Sequence, residues 1–221
     1  MRVVLASASP ARLALLRAAG LDPLVEVAGV DEDALLAAVP DAAPAEKVTT
    51  LAGAKATTVA RRLDLDDAVV IGCDSMLHID GALVGKPAST DEARTRWRSM
   101  AGRTGELVTG HAVLRTSGGE IDRVAEGHAV TVVRFGEPTE DELETYLATG
   151  EPLAVAGAFT LDGFGGWFVE GVDGDPSNVV GLSLPLVRRL LAGVGVGVTD
   201  LWRPAPPTGP ARPAATGPED D

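Results

Sequence analysis

Cysteine and tyrosine each occur once in this chain, and histidine and lysine three times each. The lone Cys73 excludes an internal disulfide framework and fits a reducing compartment, the cytoplasm. No run of about 18 apolar residues exists, so the sequence offers no membrane-spanning helix. The opening Met1-Arg2-Val3-Val4-Leu5-Ala6 is too short an apolar stretch for a secretory signal. Positive charge is scarce too. A net charge of -13 excludes a nucleic-acid backbone as partner, because that contact needs clustered Lys and Arg. A small anion is compatible with it, since a few local cations outweigh a distant field once salt screens it. The three lysines, Lys47, Lys55 and Lys86, stand against sixteen arginines. Such a chain marks its lysine positions as places for a compact, mobile ammonium. His78, His111 and His128 lack the spacing of zinc ligands.

What is present is a 221-residue sequence, 45% hydrophobic, large enough for one domain or two small lobes around a real core. Residues 2–6 read as a strand. Ser9 caps a helix with Pro10 at its first position and Gly20 beyond its end. A second strand-like stretch covers 24–30. Pro44 opens a helix to about Leu63, with Val48, Leu51, Ala52 and Val59 on one face. Ala68–Cys73 is a continuous apolar run that suits a buried central strand. Asp80-Gly81 is a hairpin signal between 76–79 and 82–84. Capping boxes at Ser89-Thr90-Asp91-Glu92 and Thr139-Glu140-Asp141-Glu142 open two helices. Between them lie two long strands, 106–116 and 120–134, joined by Ser117-Gly118-Gly119. Residues 151–182 are Gly-rich, with strand-like pieces at 158–161 and 167–170, and a last helix covers 184–192. The pattern predicts an α/β or α+β mixed sheet with helices. Residues 1–202 form the expected domain, and 203–221, rich in Pro and Gly with an acidic end, the expected disordered tail.

Three segments carry potential chemistry. In Leu5-Ala6-Ser7-Ala8-Ser9-Pro10-Ala11-Arg12 a strand runs into a helix N-terminus, whose free N–H groups and dipole attract phosphate. Ser7, Ser9 and Arg12 add donors. The same residues also fit a plain cap at Ser9 and a solvated Arg12. In Val69-Val70-Ile71-Gly72-Cys73-Asp74-Ser75 a carboxylate follows a buried strand, where open sheets place ligands. Asp74 there either holds Mg²⁺ or takes a proton from water, or else simply starts a turn. Gly81-Ala82-Leu83-Val84-Gly85-Lys86-Pro87 imitates a P-loop but is one residue short and ends on Pro. Lys86 remains either a phosphate contact or a solvated side chain. Gly163-Phe164-Gly165-Gly166 is not followed by a long helix, so it is no dinucleotide fingerprint. No Gly-x-Ser-x-Gly elbow exists. Cys73 reads as a small buried hydrophobe, and Trp97, Trp167 and Trp202 as packing residues.

Taken together, these segments resemble the Maf proteins, a septum-formation-inhibitor family of nucleotide pyrophosphatases. Residues 5–12 resemble its opening L-A-S-x-S-P-R-R, Ile71–Ser75 its G-A-D-T and Gly85-Lys86-Pro87 its G-K-P. Ala52-Gly53-Ala54-Lys55-Ala56 is similar to A-x-x-K-A. Gly150-Glu151-Pro152 through Ala156-Gly157-Ala158-Phe159 resembles E-P-x-x-x-A-G-A-Y, and Ser177–Leu184 the V-V-G-L-P-L close. The matches run in order over about residues 3–192. The resemblance implies an elongated mixed sheet with helices, split into two lobes by a cleft, a divalent cation (Mg²⁺ or Mn²⁺) and often a homodimer. It implies cleavage of a nucleoside triphosphate to monophosphate and pyrophosphate, with Asp74 as catalytic acid/base. Ser7, Ser9, Arg12, Lys55 and Lys86 would bind substrate, and Glu32 with Asp74 would hold the metal.

Three positions depart from the family's known subgroups. Ala11 stands where they carry Arg or Trp, Ser75 where they carry Thr or Gln, and Asp162 where they carry Gln or Glu. These positions imply a third subgroup, with a larger or less selective base pocket at Ala11. Two other functions stay open on sequence: a non-catalytic nucleotide-binding regulator of division, and a phosphatase releasing orthophosphate.

Overall fold

The computed structural model describes residues 1–63 and 65–203; the expected tail, apart from Arg203, lies outside them. One seven-stranded mixed sheet organises the chain. Strand β1 (Arg2–Leu5) leads through Ser9, whose hydroxyl caps helix α1 (Pro10–Ala18). After β2 (Leu24–Val25) and the short α2 (Glu32–Ala37) comes the long α3 (Pro44–Leu63). Then β3 (Asp67–Ile79) and β4 (Ala82–Val84) form the hairpin, followed by α4 (Thr90–Met100). Strands β5 (Thr104–Ser117) and β6 (Glu120–Phe135) are the longest. Helix α5 (Glu140–Ala148), β7 (Val169–Asp173), α6 (Pro176–Val180) and α7 (Leu184–Gly193) follow, and a 3₁₀ turn (Val198–Leu201) comes after them. The order across the sheet is β2-β1-β3-β5-β6-β7, with β4 on β3. Strands β1, β2 and the first part of β3 run parallel; every other pair is antiparallel.

Alternation along β3 sorts side chains to two faces. Val69, Ile71 and Cys73 enter a core with α1 and α7, while Val70 packs with Ala52, Ala56 and Val59 of α3. A third core, around Trp97, lies at the far end of the long strands. There Trp97 meets Phe135, Tyr146 and Phe168 edge-on at 5.9 Å and donates Nε1–H to the Ala158 carbonyl. Helix α3 lies directly on the sheet. A Cβ on Gly72 would strike the Ala52 carbonyl, and one on Gly110 the backbone of Val48.

Several local expectations differ from the structure. Only Leu24–Val25 of the 24–30 stretch is a strand; it is an exposed edge, and Gly29 at φ 67° turns the chain away. Residues 158–161 form no strand, because Gly157 and Ala158 both have positive φ and residues 151–158 coil as two 3₁₀ turns. The 167–170 piece is a 3₁₀ turn running into β7. Ser89 caps α4, but Glu92 reaches back to the Ala88 amide, so that box is only half closed. Trp167 is not a packing residue: it is 87% exposed. Trp202 is 55% exposed and lies over Gly20. Arg203 is anchored, donating its amide to the Gly20 carbonyl and pairing with Asp22.

Candidate active site

Asp74 does not terminate its strand. Strand β3 continues to Ile79 because β5 pairs with it without interruption, Asp74 opposite Gly110. The open position arises on the other edge. There β1 stops at Leu5 opposite Ile71, and β4 begins only opposite Leu77. Residues 72–76 of β3 therefore have no strand partner on that edge, and a cleft of about 750 Å³ forms over the gap. The expectation of a site at a strand terminus holds for β1 and not for β3.

Ser7, Ser9, Ala11, Arg12, Glu32, Lys55, Asp74, Ser75, Lys86 and Asp162 all line this cleft. Asp74 shares its strand face with Gly72. The glycine lets α3 approach, and Lys55 then reaches Asp74 Oδ1 at 2.5 Å and Glu32 Oε1 at 2.8 Å. Asp74 is buried, and burial pushes its carboxyl above the usual range, opposed by the charges of Lys55 and Arg12. Cys73, on the opposite face, is fully buried, and burial pushes its thiol up to about 11, which suits an inert hydrophobe.

Arg12 is no solvated side chain. Its Nε donates to the Gly181 carbonyl (2.7 Å), Nη1 to Ser7 Oγ (3.0 Å) and the Cys73 carbonyl (2.9 Å), and Nη2 to Ser75 Oγ (3.0 Å). The Cys73 carbonyl belongs to the unpaired edge of β3, so the guanidinium satisfies backbone that the missing strand leaves free. Arg12 thus spends four of five N–H donors on the protein. Ser9 acts as the plain cap, accepting from Arg12 N at 3.4 Å, while still bordering the cleft.

Other residues build the site without having been legible as part of it. Thr109 bonds Ser75 Oγ across β5 at 2.9 Å. Asn178, fully buried, donates to the Leu107 carbonyl (3.1 Å) and Thr131 Oγ1 (3.2 Å), which fixes the segment presenting Gly181 to Arg12. The Gly85 carbonyl accepts from Gly157 N (3.1 Å) and Arg96 Nη1 (2.5 Å), holding the loop that carries Lys86. Glu151 accepts from Thr160 Oγ1 (2.6 Å), Gly165 N (3.0 Å) and Phe164 N (3.1 Å), which folds the loop bearing Asp162. Lys47 also lines the cleft; its scarcity as a residue type was the one signal for it.

His111 is fully buried beneath this assembly. Its Nε2 accepts from Ser183 N at 2.8 Å, so Nδ1 carries the proton and donates to the Thr109 carbonyl at 3.1 Å. Burial pushes its pKa down to about 4; Arg12 and His128 act in the same direction, and the Thr109 carbonyl and Asp175 oppose it. The folded ring thus binds its proton less readily than the unfolded one, whose pKa is about 6.5. Stability should fall as pH drops from about 6.5 toward 4, by up to about 3 kcal/mol from this group. Urea midpoints of wild type and His111→Gln at pH 7 and 4.5 check this: equal acid losses in both proteins would refute it.

A second concavity, about 570 Å³, is lined by Glu137, Asp141, Glu142 and Glu170 with Phe164 and Trp167, and by no cation. Its chemistry repels phosphate. Among the described residues no group of three or more His, Cys, Asp or Glu converges as a metal site, and no helix is long and apolar enough to cross a membrane. Mg²⁺, however, commonly needs only one or two carboxylates beside substrate phosphates and water. Glu32 and Asp74, both against one ammonium, fit that donor set.

The sequence comparisons agree with this geometry. A protein of Saccharopolyspora erythraea named nucleoside triphosphate pyrophosphatase is 63% identical over 207 residues, covering 92% of this chain and 98% of its own. Proteins of the same name from Rhodococcus erythropolis (62% over 206 residues, 91% of this chain and 97% of theirs) and Streptomyces coelicolor (57% over 204, 92% and 96%) are similar over the same span. The family described as Maf-like protein matches residues 2–194, which includes every motif that lines the cleft. The chain belongs to that family.

Proposed function

We propose that this chain is a nucleoside triphosphate pyrophosphatase, hydrolysing ribo- or deoxynucleoside triphosphates, modified ones among them, to the monophosphate and pyrophosphate. The observation that carries the reading is the Lys55–Asp74 pair, 2.5 Å apart with its carboxylate buried, in a cleft that also gathers Arg12 and Lys86. Asp74 orients a water toward the α-phosphorus and takes its proton as the new P–O bond forms. The bond from the α-phosphorus to the bridging oxygen breaks, and pyrophosphate leaves. Positioning and charge neutralisation supply most of such catalysis. Burial favours the role, because it moves the base's pKa toward the operating pH.

Lys55 and Lys86 neutralise phosphate oxygens; Arg12, largely committed to the protein, shapes the wall and offers its remaining donor. Glu32 and Asp74 would hold a divalent cation, Mg²⁺ or Mn²⁺, which when bound neutralises phosphate charge. The proposal includes a cytoplasmic location and a homodimer, with no membrane or nucleic-acid partner. Ala11, Ser75 and Asp162 set base preference, and the small Ala11 favours a broad one.

Incubation of the purified protein with Mg²⁺ or Mn²⁺ and a panel of common triphosphates tests the reading. Pyrophosphate release with kcat/KM spread over several bases is the expected result. Orthophosphate release would make the protein a phosphatase, and no release from any nucleotide a binding regulator. Strict dTTP/UTP preference would overturn the broad base pocket alone. The carboxylate set beside the phosphate cations favours catalysis, since a pure binder gains nothing from that repulsion.

A further inference from the structure

We propose that Lys47 is a further substrate-binding residue, the cation that receives the pyrophosphate end of the triphosphate. The inference rests on the hydrolase reading above. Two of the cleft's other three cations are already committed. Lys55 is held between Asp74 and Glu32, and Arg12 has one donor left. The cleft is lined by four carboxylates, Glu32, Asp33, Asp74 and Asp162, and by four cations, of which Lys47 is one. Without Lys47 its formal charge would be negative, in a chain whose net charge is already -13. Lys86 is one cation of the cleft that forms no ion pair among the described residues, and a triphosphate, with its several negative charges, calls for a second.

Lys47 is placed to supply one. Its Nζ makes a single hydrogen bond, to the Pro40 carbonyl at 2.8 Å, and forms no ion pair among the described residues. Two of its three N–H donors are therefore open. It sits in the first turn of α3, where the helix dipole disfavours a cation. Helix stability alone would not place it there, whereas a bound anion would offset that cost.

The proposal also gives Lys47 one end of the substrate. Lys47 precedes Lys55 by two turns of the same helix, a rise of about 12 Å. Asp74 and Lys55 must flank the α-phosphorus if Asp74 is the base. The base-side positions Ala11 and Ser75 lie toward α1, with Ser75 on the opposite face of β3 from Asp74 and bonded to Arg12. On this assignment the phosphate chain runs from Asp74 toward the start of α3; Asp33 and Leu36 of α2 line the same cleft as Lys47.

Lys47→Gln and Lys47→Arg test this in the full-length protein with Mg²⁺ present. Gln can still donate to the Pro40 carbonyl, so it separates charge from loop anchoring, and an unmoved thermal midpoint would confirm that the fold is kept. The expected result for Lys47→Gln is a rise of about tenfold in KM for a triphosphate and in Ki for pyrophosphate, the scale of one lost charge-assisted contact. The Ki of the nucleoside monophosphate should not change, and Lys47→Arg should restore most of the pyrophosphate affinity. A pyrophosphate Ki within twofold of wild type in Lys47→Gln would overturn the assignment, as would an equal loss for the monophosphate. If the wild-type protein cleaves no triphosphate, the hydrolase reading falls instead. Calorimetric titration with pyrophosphate then decides Lys47 alone: weaker binding to Lys47→Gln keeps the anion subsite, and unchanged binding removes it.

Discussion

Asp74→Asn should lower kcat for pyrophosphate release by about 10²-fold or more while leaving the protein folded. Asn keeps the shape of the side chain and an oxygen that can still accept from Lys55, but it cannot take a proton from water. Lys55 keeps Glu32 as an ionic partner, so no buried cation is stranded. Stability gives a second readout with a definite sign. Burial raises the folded pKa of Asp74 above its unfolded value. The carboxyl thus contributes stability when protonated, and that contribution is lost as pH rises through the folded pKa. At pH 7 the charged form is a cost, so Asp74→Asn should melt no lower than wild type, and its melting temperature should exceed wild type if the cost is large. Catalytic carboxylates kept at such a cost are a common trade of stability for activity. Near-normal turnover in Asp74→Asn would remove this residue from the mechanism.

Gly110→Ala should cost about 3 kcal/mol or more of stability, the scale of overpacking against rigid backbone. The methyl group would meet the main chain of Val48, which cannot rotate aside as a side chain does. Helix α3 would have to lift from the sheet. Gly110 is the β5 partner of Asp74, and Lys55 rides on that helix, so the lift would also widen the Lys55–Asp74 contact. Loss of stability and loss of activity should therefore appear together. A urea midpoint near wild type with full activity would show that the helix has room to spare.

Much of this arrangement is legible in the chain's local chemistry. Ser9, Pro10 and Thr139 mark helix starts because capping satisfies amides that lie within a few residues. Asp80-Gly81 marks the hairpin because both residues adopt positive φ. Glycine-rich sequence was the poor guide: at 157–158 backbone conformation overrode the apolar pattern, and the five-residue α6 was too short to leave a periodic signal. The residues of the cleft could be named from motif order, yet their commitments could not. That Arg12 serves the free edge of β3, that Thr109 and Asn178 brace the wall, and that Glu151 folds the Asp162 loop all depend on contacts between distant segments. Asp74 was misplaced for a related reason. The end of an apolar run resembles the end of a strand, whereas pairing with β5 carries β3 five residues further.

The continuity of β3, β5 and β6 also governs how the molecule can respond to what it binds. These three strands pass unbroken from the core around Leu5 to the core around Trp97. Swinging one end against the other would shear backbone bonds across all three at once. Capture of a ligand must therefore draw on parts outside that lattice. Helix α2 is one, since it has no buried residue and carries Glu32 at its first position. The floor of the cleft is thus built into the long strands and its rim into a helix without buried anchors, so fit and stiffness fall to different stretches of chain.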